Sequence, residues 1–157
     1  MSNYNFNLEG DDNKFYSLKD FKGKNLILYF YSKDNTSGWT KEAVEFNGLK
    51  EEFSKFDITN VGVSRDSIDR HKSFKEKKEF DLLLLSDPEK KTHIDFEVWA
   101  EKKMYGKTVM GVKRSTFLFD KNGKVIKEWR NVKAGGHAER VLAYVQETLW
   151  IRIKNIE

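Results

Sequence analysis

Asn25-Leu-Ile-Leu-Tyr-Phe-Tyr31, then Ser32-Lys-Asp-Asn-Thr-Ser-Gly38, then Trp39-Thr-Lys-Glu-Ala43 is the stretch that decides how this chain is read. Its first segment is apolar from Leu26 onward, short and aromatic, the pattern of a strand buried on both faces. The second is a polar loop. Beyond it, Ala43, Val44, Phe46, Leu49 and Phe53 recur at helical spacing, so the unit is strand, loop, helix.

Working outward, Ile58-Thr-Asn-Val-Gly-Val-Ser64 reads as a second strand and Ser67 to Phe80 as a helix capped by Ser67. Leu82 to Leu85 is a short buried strand ended by Ser86-Asp-Pro88, and Glu89 to Phe96 a further helix. Ser115 to Phe119 and Lys124 to Trp129 form a hairpin, with positive φ angles expected at Asn122 and Gly123 between them. His137 to Leu149 closes with a helix whose apolar face is Val141, Leu142, Val145 and Leu149. Residues 150–157 form a C-terminal tail that extends this helix or drapes over the surface. Before the first strand, a turn-like stretch from Glu9 to Asn13 separates two Phe/Tyr-rich patches. Alternating β and α units followed by a hairpin and a helix imply an α/β chain, a central mixed β-sheet flanked by helices in a thioredoxin-like fold.

The 157 residues suit one domain spanning 1–157, large enough to bury about 70% of its unfolded surface. Twelve Phe, six Tyr and four Trp supply a core that rules out disorder. No apolar run approaches membrane-spanning length and no leader pattern opens the chain, so the expected address is the cytoplasm, with no membrane partner. The net charge of +4 is small and mixed. The basic stretch from His71 to Lys78 contains Glu76 and reads as a solvated helix face, so no nucleic acid partner is expected. His71, His93 and His137 lack metal-ligand spacing and read as surface or capping residues. Cysteine is absent, which excludes disulfides and thiolate chemistry in the chain as it stands.

Sites in open α/β sheets form beyond the carboxyl ends of strands, often at a helix N-terminus whose free N–H groups and dipole favour an anion. The loop from Ser32 to Trp39 occupies that position, with Thr36 offering a hydroxyl, Lys33 a cation and Gly38 a close approach.

Leu28-Tyr-Phe-Tyr-Ser-Lys-Asp-Asn-Thr-Ser-Gly-Trp-Thr-Lys-Glu-Ala43 closely resembles the active-site segment of peroxiredoxins of the PrxQ (bacterioferritin comigratory protein) subfamily, usually YFYPKDNTPGCTKEA. The likeness continues through Leu84-Leu-Ser-Asp-Pro88, Val98-Trp-Ala-Glu-Lys-Lys-Met-Tyr-Gly-Lys-Thr108, Arg114-Ser-Thr-Phe-Leu118 and Gly136-His-Ala-Glu139. By this resemblance Thr36 matches the threonine that bonds the reactive sulfur and the peroxide. Arg114 matches the arginine that stabilises the thiolate and polarises the O–O bond, and Glu42 matches an orienting partner for that arginine. The resemblance implies reduction of hydrogen peroxide or organic hydroperoxides, an antioxidant role, no cofactor and no metal. Its implied partners are the peroxide and an external thiol reductant such as thioredoxin or glutaredoxin, with the chain a monomer or weak homodimer.

Position 39, where the peroxidatic cysteine stands in that family, is Trp39, and Val44 stands where many relatives carry a resolving cysteine. Ser32 and Ser37 replace two motif prolines. An indole offers no anionic nucleophile near neutral pH. Tryptophan's codon UGG lies one base from both cysteine codons and from UGA, which encodes selenocysteine in some genes. Three readings follow: Trp39 stands in for cysteine or selenocysteine, the chain is a natural inactive relative that binds or regulates, or the scaffold carries an unrelated binding function.

Overall fold

The computed structural model describes residues 5–31, 37–78, 82–132 and 136–156, with the backbone alone described at 37–42, 78, 102, 104 and 149–156. The segment Asn25–Phe30 (β3) is buried at all six positions. It pairs in parallel with Ile58–Ser64 (β4), which pairs in parallel with Leu83–Ser86 (β5). On its other side β3 runs antiparallel to Ser115–Phe119 (β8), with Leu26 opposite Phe119 and Phe30 opposite Ser115. Val125–Trp129 (β9) completes that edge, antiparallel to β8.

Alternation along β3 builds two cores. Ile27, Tyr29 and Tyr31 face one layer, packed with Ala43 and Phe46 of Ser37–Gly48 (α1), Phe53 of Lys50–Ser54 (α2), Phe74 of Ile68–Lys78 (α3) and Val141 and Val145 of His137–Ile156 (α5). Leu26, Leu28 and Phe30 face the other, with Val61, Val63, Phe96, Phe117 and Phe119. Phe30 sits edge-on to Phe117 and close to Phe96, so its single ring links three elements. This is the expected mixed sheet with helices on both sides, although among the described residues the side of Phe96 carries only the short Lys91–Asp95 (α4) and the 3-10 turn Leu18–Phe21.

Several expectations need correction. The turn-like stretch and its flanking patches form a hairpin, Asn7–Gly10 (β1) and Phe15–Ser17 (β2), and β1 extends the sheet antiparallel to β5. These strands are too short to announce themselves, and their register is set by a distant partner. The helix reading through Phe53 divides at Leu49, whose φ and ψ of −102° and 6° leave the helical region. Glu89 to Phe96 shortens to α4, because Lys90 takes a left-handed φ of 65°. Residues 99–112, which the sequence pattern left unassigned, form a two-stranded sheet of Trp99–Met104 (β6) and Lys107–Val112 (β7).

In the Asp120–Lys124 turn only Gly123 has a positive φ, at 81°. The Asp120 carboxylate accepts from Asn122 and Lys124 N–H, and β9 starts at Val125, so the loop runs one residue beyond the expected Asp120–Gly123 turn. The tail continues α5 to Ile156. Residues 79–80, the end of the expected second helix, lie outside the described residues; α3 begins at Ile68, with the Ser67 hydroxyl accepting from Arg70 N–H at 3.3 Å.

Gly62 on β4 is required by close approach. A Cβ there would lie 3.0 Å from a Leu84 methyl, 3.1 Å from the Tyr31 ring and 3.3 Å from the Tyr29 ring. Gly62→Ala is expected to overpack this layer and lower stability by about 1–3 kcal/mol in urea unfolding; an unchanged midpoint would show that the two tyrosines shift freely.

Candidate active site

The parallel strands β3, β4 and β5 end together, and α1 begins beyond the end of β3. Position 39 lies in the first turn of α1, where backbone N–H groups lack helical partners. That turn holds no Asp or Glu, so the positive end of the helix dipole is not neutralised by its own side chains. Thr36 lies outside the described residues, and the side chains of Trp39 and Glu42 are likewise undescribed.

Arg114 immediately precedes β8. Because Ser115 pairs with Phe30, the register places Arg114 at the same end of the sheet as the start of α1. Its carbonyl accepts from Val132 N–H at 2.8 Å, fixing the chain at the strand entry. The side chain is half-buried. Two residues on, Thr116 shares a hydrogen bond of 2.8 Å with Nε2 of His137, the first residue of α5. His137 is buried and packs edge-on to Phe46 of α1 and to Trp129. Burial first, then the positive charges of Arg140 and Arg114, hold its pKa down at about 4. The Arg114 charge therefore lies close enough to His137 to be felt, on the side of the sheet where α1 and α5 pack.

Glu45, two turns along α1 from position 38, accepts from Gly136 N–H at 3.4 Å. That carboxylate sits at the start of α5, where the helix dipole favours it, and ties the two helices together. Tyr31, the last described residue before the loop, is held in turn by His71. The His71 Nε2 donates to the Leu85 carbonyl at 3.0 Å, which leaves Nδ1 to accept from the Tyr31 hydroxyl at 3.4 Å.

The three histidines are thus not surface residues: His71, His93 and His137 are all fully buried. His93 Nδ1 lies 2.6 Å from Asp87, which also accepts from the His93 N–H at 2.9 Å. Burial would raise the Asp87 pKa, but these hydrogen bonds outweigh it and hold the carboxyl below its usual value. Nor is the basic stretch from His71 to Lys78 wholly solvated, since Phe74 is buried and Lys75 pairs with the buried Asp11 at 2.6 Å. Sequence reasoning missed Thr116, His137 and Glu45 as neighbours of the site. The period-two spacing from Arg114 would have flagged Thr116, whereas nothing local pairs it with a histidine 21 residues away. Among the described residues there is no cluster that could hold a metal ion.

Residues 3–128 match the family model described as the AhpC/TSA family. The chain belongs to the AhpC/TSA family. Within it, the chain is 46% identical over 140 residues to Peroxiredoxin Bcp of Bacillus subtilis, covering 89% of both. It is also 46% identical over 127 residues to Peroxiredoxin Bcp of Xanthomonas campestris, covering 81% of this chain and 79% of that one. Among solved structures, the bacterioferritin comigratory protein of Xanthomonas campestris, reported for its alkyl peroxide reduction activity, superposes with a TM-score of 0.87 at 41% identity, covering 92% of each chain. Peroxidoxin BcpB of Mycobacterium tuberculosis gives a TM-score of 0.80 at 31% identity, covering 92% of this chain and 93% of that one. This AhpC/TSA family chain is therefore similar to Bcp and PrxQ peroxiredoxins along nearly its whole length.

The buried neutral His137 has a consequence for stability. Unfolded, it takes up a proton near pH 6.5; folded, only near pH 4. Between those values the unfolded chain binds more protons, so this group makes stability fall as pH falls, by up to about 3 kcal/mol. Urea unfolding from pH 7 to 4 is expected to show that loss, and His137→Gln to flatten it. An equally steep loss in the variant would assign the effect elsewhere.

Proposed function

We propose that the active form of this protein is a thiol- or selenol-dependent peroxidase of the Bcp type, and that Trp39 stands where cysteine or selenocysteine acts. The observation that carries this reading is the placement of position 39 in the uncompensated first turn of α1, with Arg114 at the same sheet end across the Phe30–Ser115 register. That is a setting for an anion, and tryptophan makes no use of it.

In this reading the anion at position 39 attacks one oxygen of the peroxide. The O–O bond breaks, and the leaving alkoxide or hydroxide takes up a proton. Position 39 is oxidised to the selenenic or sulfenic acid while the peroxide is reduced to alcohol or water. The Arg114 guanidinium stabilises the charge on the leaving oxygen, and N–H groups of the first helical turn stabilise the attacking anion. Thr36 orients the peroxide and Glu42 orients Arg114. Two thiols complete the cycle: one displaces water to form a mixed bridge, and the second attacks that bridge, leaving as the disulfide and restoring position 39.

The reductant must be external, because the chain holds no resolving cysteine; Val44, at that position, is exposed on α1. We place the protein in the cytoplasm, as one domain over 1–157 acting as a monomer or weak homodimer. The described residues include no helix long and apolar enough to cross a membrane. The second reading, a naturally inactive relative that binds or regulates, draws on Ser32 and Ser37, which depart from the same motif.

Two measurements test the proposal. The native gene is expected to carry a codon other than UGG at position 39, UGA above all. Trp39→Cys is expected to reduce hydroperoxides with an added dithiol, and Arg114→Ala in that background to lower kcat/KM by about 10²–10³-fold. A genuine UGG codon, together with a folded Trp39→Cys variant that turns over no hydroperoxide, would leave the inactive-relative reading standing.

A further inference from the structure

The segment from Trp99 to Lys113 forms an arm whose construction the peroxidase reading does not use. Its root is fixed. Val98 and Val112 are buried in the core layer, Lys113 N–H donates to the Val98 carbonyl at 2.7 Å, and the Trp99 ring lies against Arg65 at 4.6 Å and Lys90 at 4.9 Å. Beyond that root the arm leaves the body. Four consecutive β7 residues, Lys107 to Met110, are exposed, so both faces of that strand meet solvent. Among the described residues β6 and β7 pair only with each other, so each also has an outer edge of backbone N–H and C=O groups with no strand beside it. A free two-stranded ribbon is marginal in water, and exposed edges invite pairing.

The tip adds a second observation. Met104 pairs with Lys107, so Tyr105 and Gly106 make a two-residue turn, with φ of 53° and 77°. That geometry suits Asn, Asp or Gly; a tyrosine there is strained, and it is 99% exposed, so no packing within the chain offsets the strain. Val109 and Met110 are exposed nearby. The segment carries Lys102, Lys103, Lys107 and Lys113 against Glu101 alone, a net +3 where the whole chain is +4.

We propose that this arm is a docking surface for an acidic polypeptide segment in extended conformation, which adds as a strand to an edge of the β6–β7 ribbon. The segment's acidic side chains lie on the ribbon face of Lys107, and its alternating apolar side chains lie on the opposite face, against Met110, with Tyr105 at the tip. Charge argues against arm-to-arm pairing of two copies, since both arms are +3. The free edges argue against a lipid surface, because lipid tails leave backbone N–H and C=O groups unsatisfied. Nucleic acid would answer the charge, but among the arm's described residues only Tyr105 is an exposed ring that could stack on a base.

The test uses the full chain and a decapeptide of alternating glutamate and valine, followed by amide NMR and hydrogen exchange. Saturable shifts confined to residues 99–113, with new exchange protection along the outer edge of β6 or β7, are expected. A matched lysine–valine peptide should give neither. Lys103→Glu combined with Lys107→Glu should weaken binding about tenfold or more, and Tyr105→Ala should weaken it at unchanged salt dependence. Shifts elsewhere, shifts without edge protection, or binding of anionic vesicles or an oligonucleotide in place of the peptide would overturn the proposal.

Discussion

Burial of β3 on both faces is the constraint on which the rest of this structure depends. Six consecutive buried residues require a covering layer on each side, and their alternation decides what goes where. Tyr29 and Tyr31 demand the helical layer of α1, α3 and α5, while Phe30 demands the aromatic layer of Phe96 and Phe117. Both flanks of β3 are hydrogen-bonded, in parallel to β4 and antiparallel to β8. The strand therefore cannot slide by one residue without turning Tyr29 and Phe30 into each other's layers.

From that fixed strand the candidate site inherits its geometry. The chain leaves β3 at its carboxyl end, and α1 runs from Ser37, with position 39 in its first turn. The antiparallel partner returns Arg114 to the same end. Beneath them, a layer of hydrogen-bonded groups joins the elements: Thr116 to His137, Glu45 to the start of α5, and His71 to Tyr31. These polar groups are buried where a misplaced one would be costly, so they resist displacement of α1 relative to the sheet. A neutral His137 suits a place beside two arginines, since a third positive charge there would be repelled.

The sequence was most readable where burial is complete. The runs at Asn25 and Ile58 and the leucines before Ser86 became β3, β4 and β5 within a residue or so, because strands covered on both faces carry no alternating polar residues to blur them. The β6–β7 arm stayed invisible for the opposite reason: a ribbon that buries neither face of its tip needs no apolar alternation. The histidines were misjudged because each partner lies elsewhere in the chain, Leu85 for His71 and Thr116 for His137, and burial of a polar ring is legible only with its partner. At the site, motif resemblance names position 39 and Arg114, and the β3–β8 register puts them at one end of the sheet; the supporting layer beneath them has no signature.

The proposed peroxidase chemistry requires the start of α1 and Arg114 together to stabilise an anion at position 39. The most direct measurement is the thiol pKa of the Trp39→Cys variant, followed by pH-dependent alkylation, with and without Arg114→Ala. A pKa well below the ordinary cysteine value of about 8.5, moving back toward it when the guanidinium is removed, is expected. A thiol that titrates near 8.5 in both proteins would contradict it.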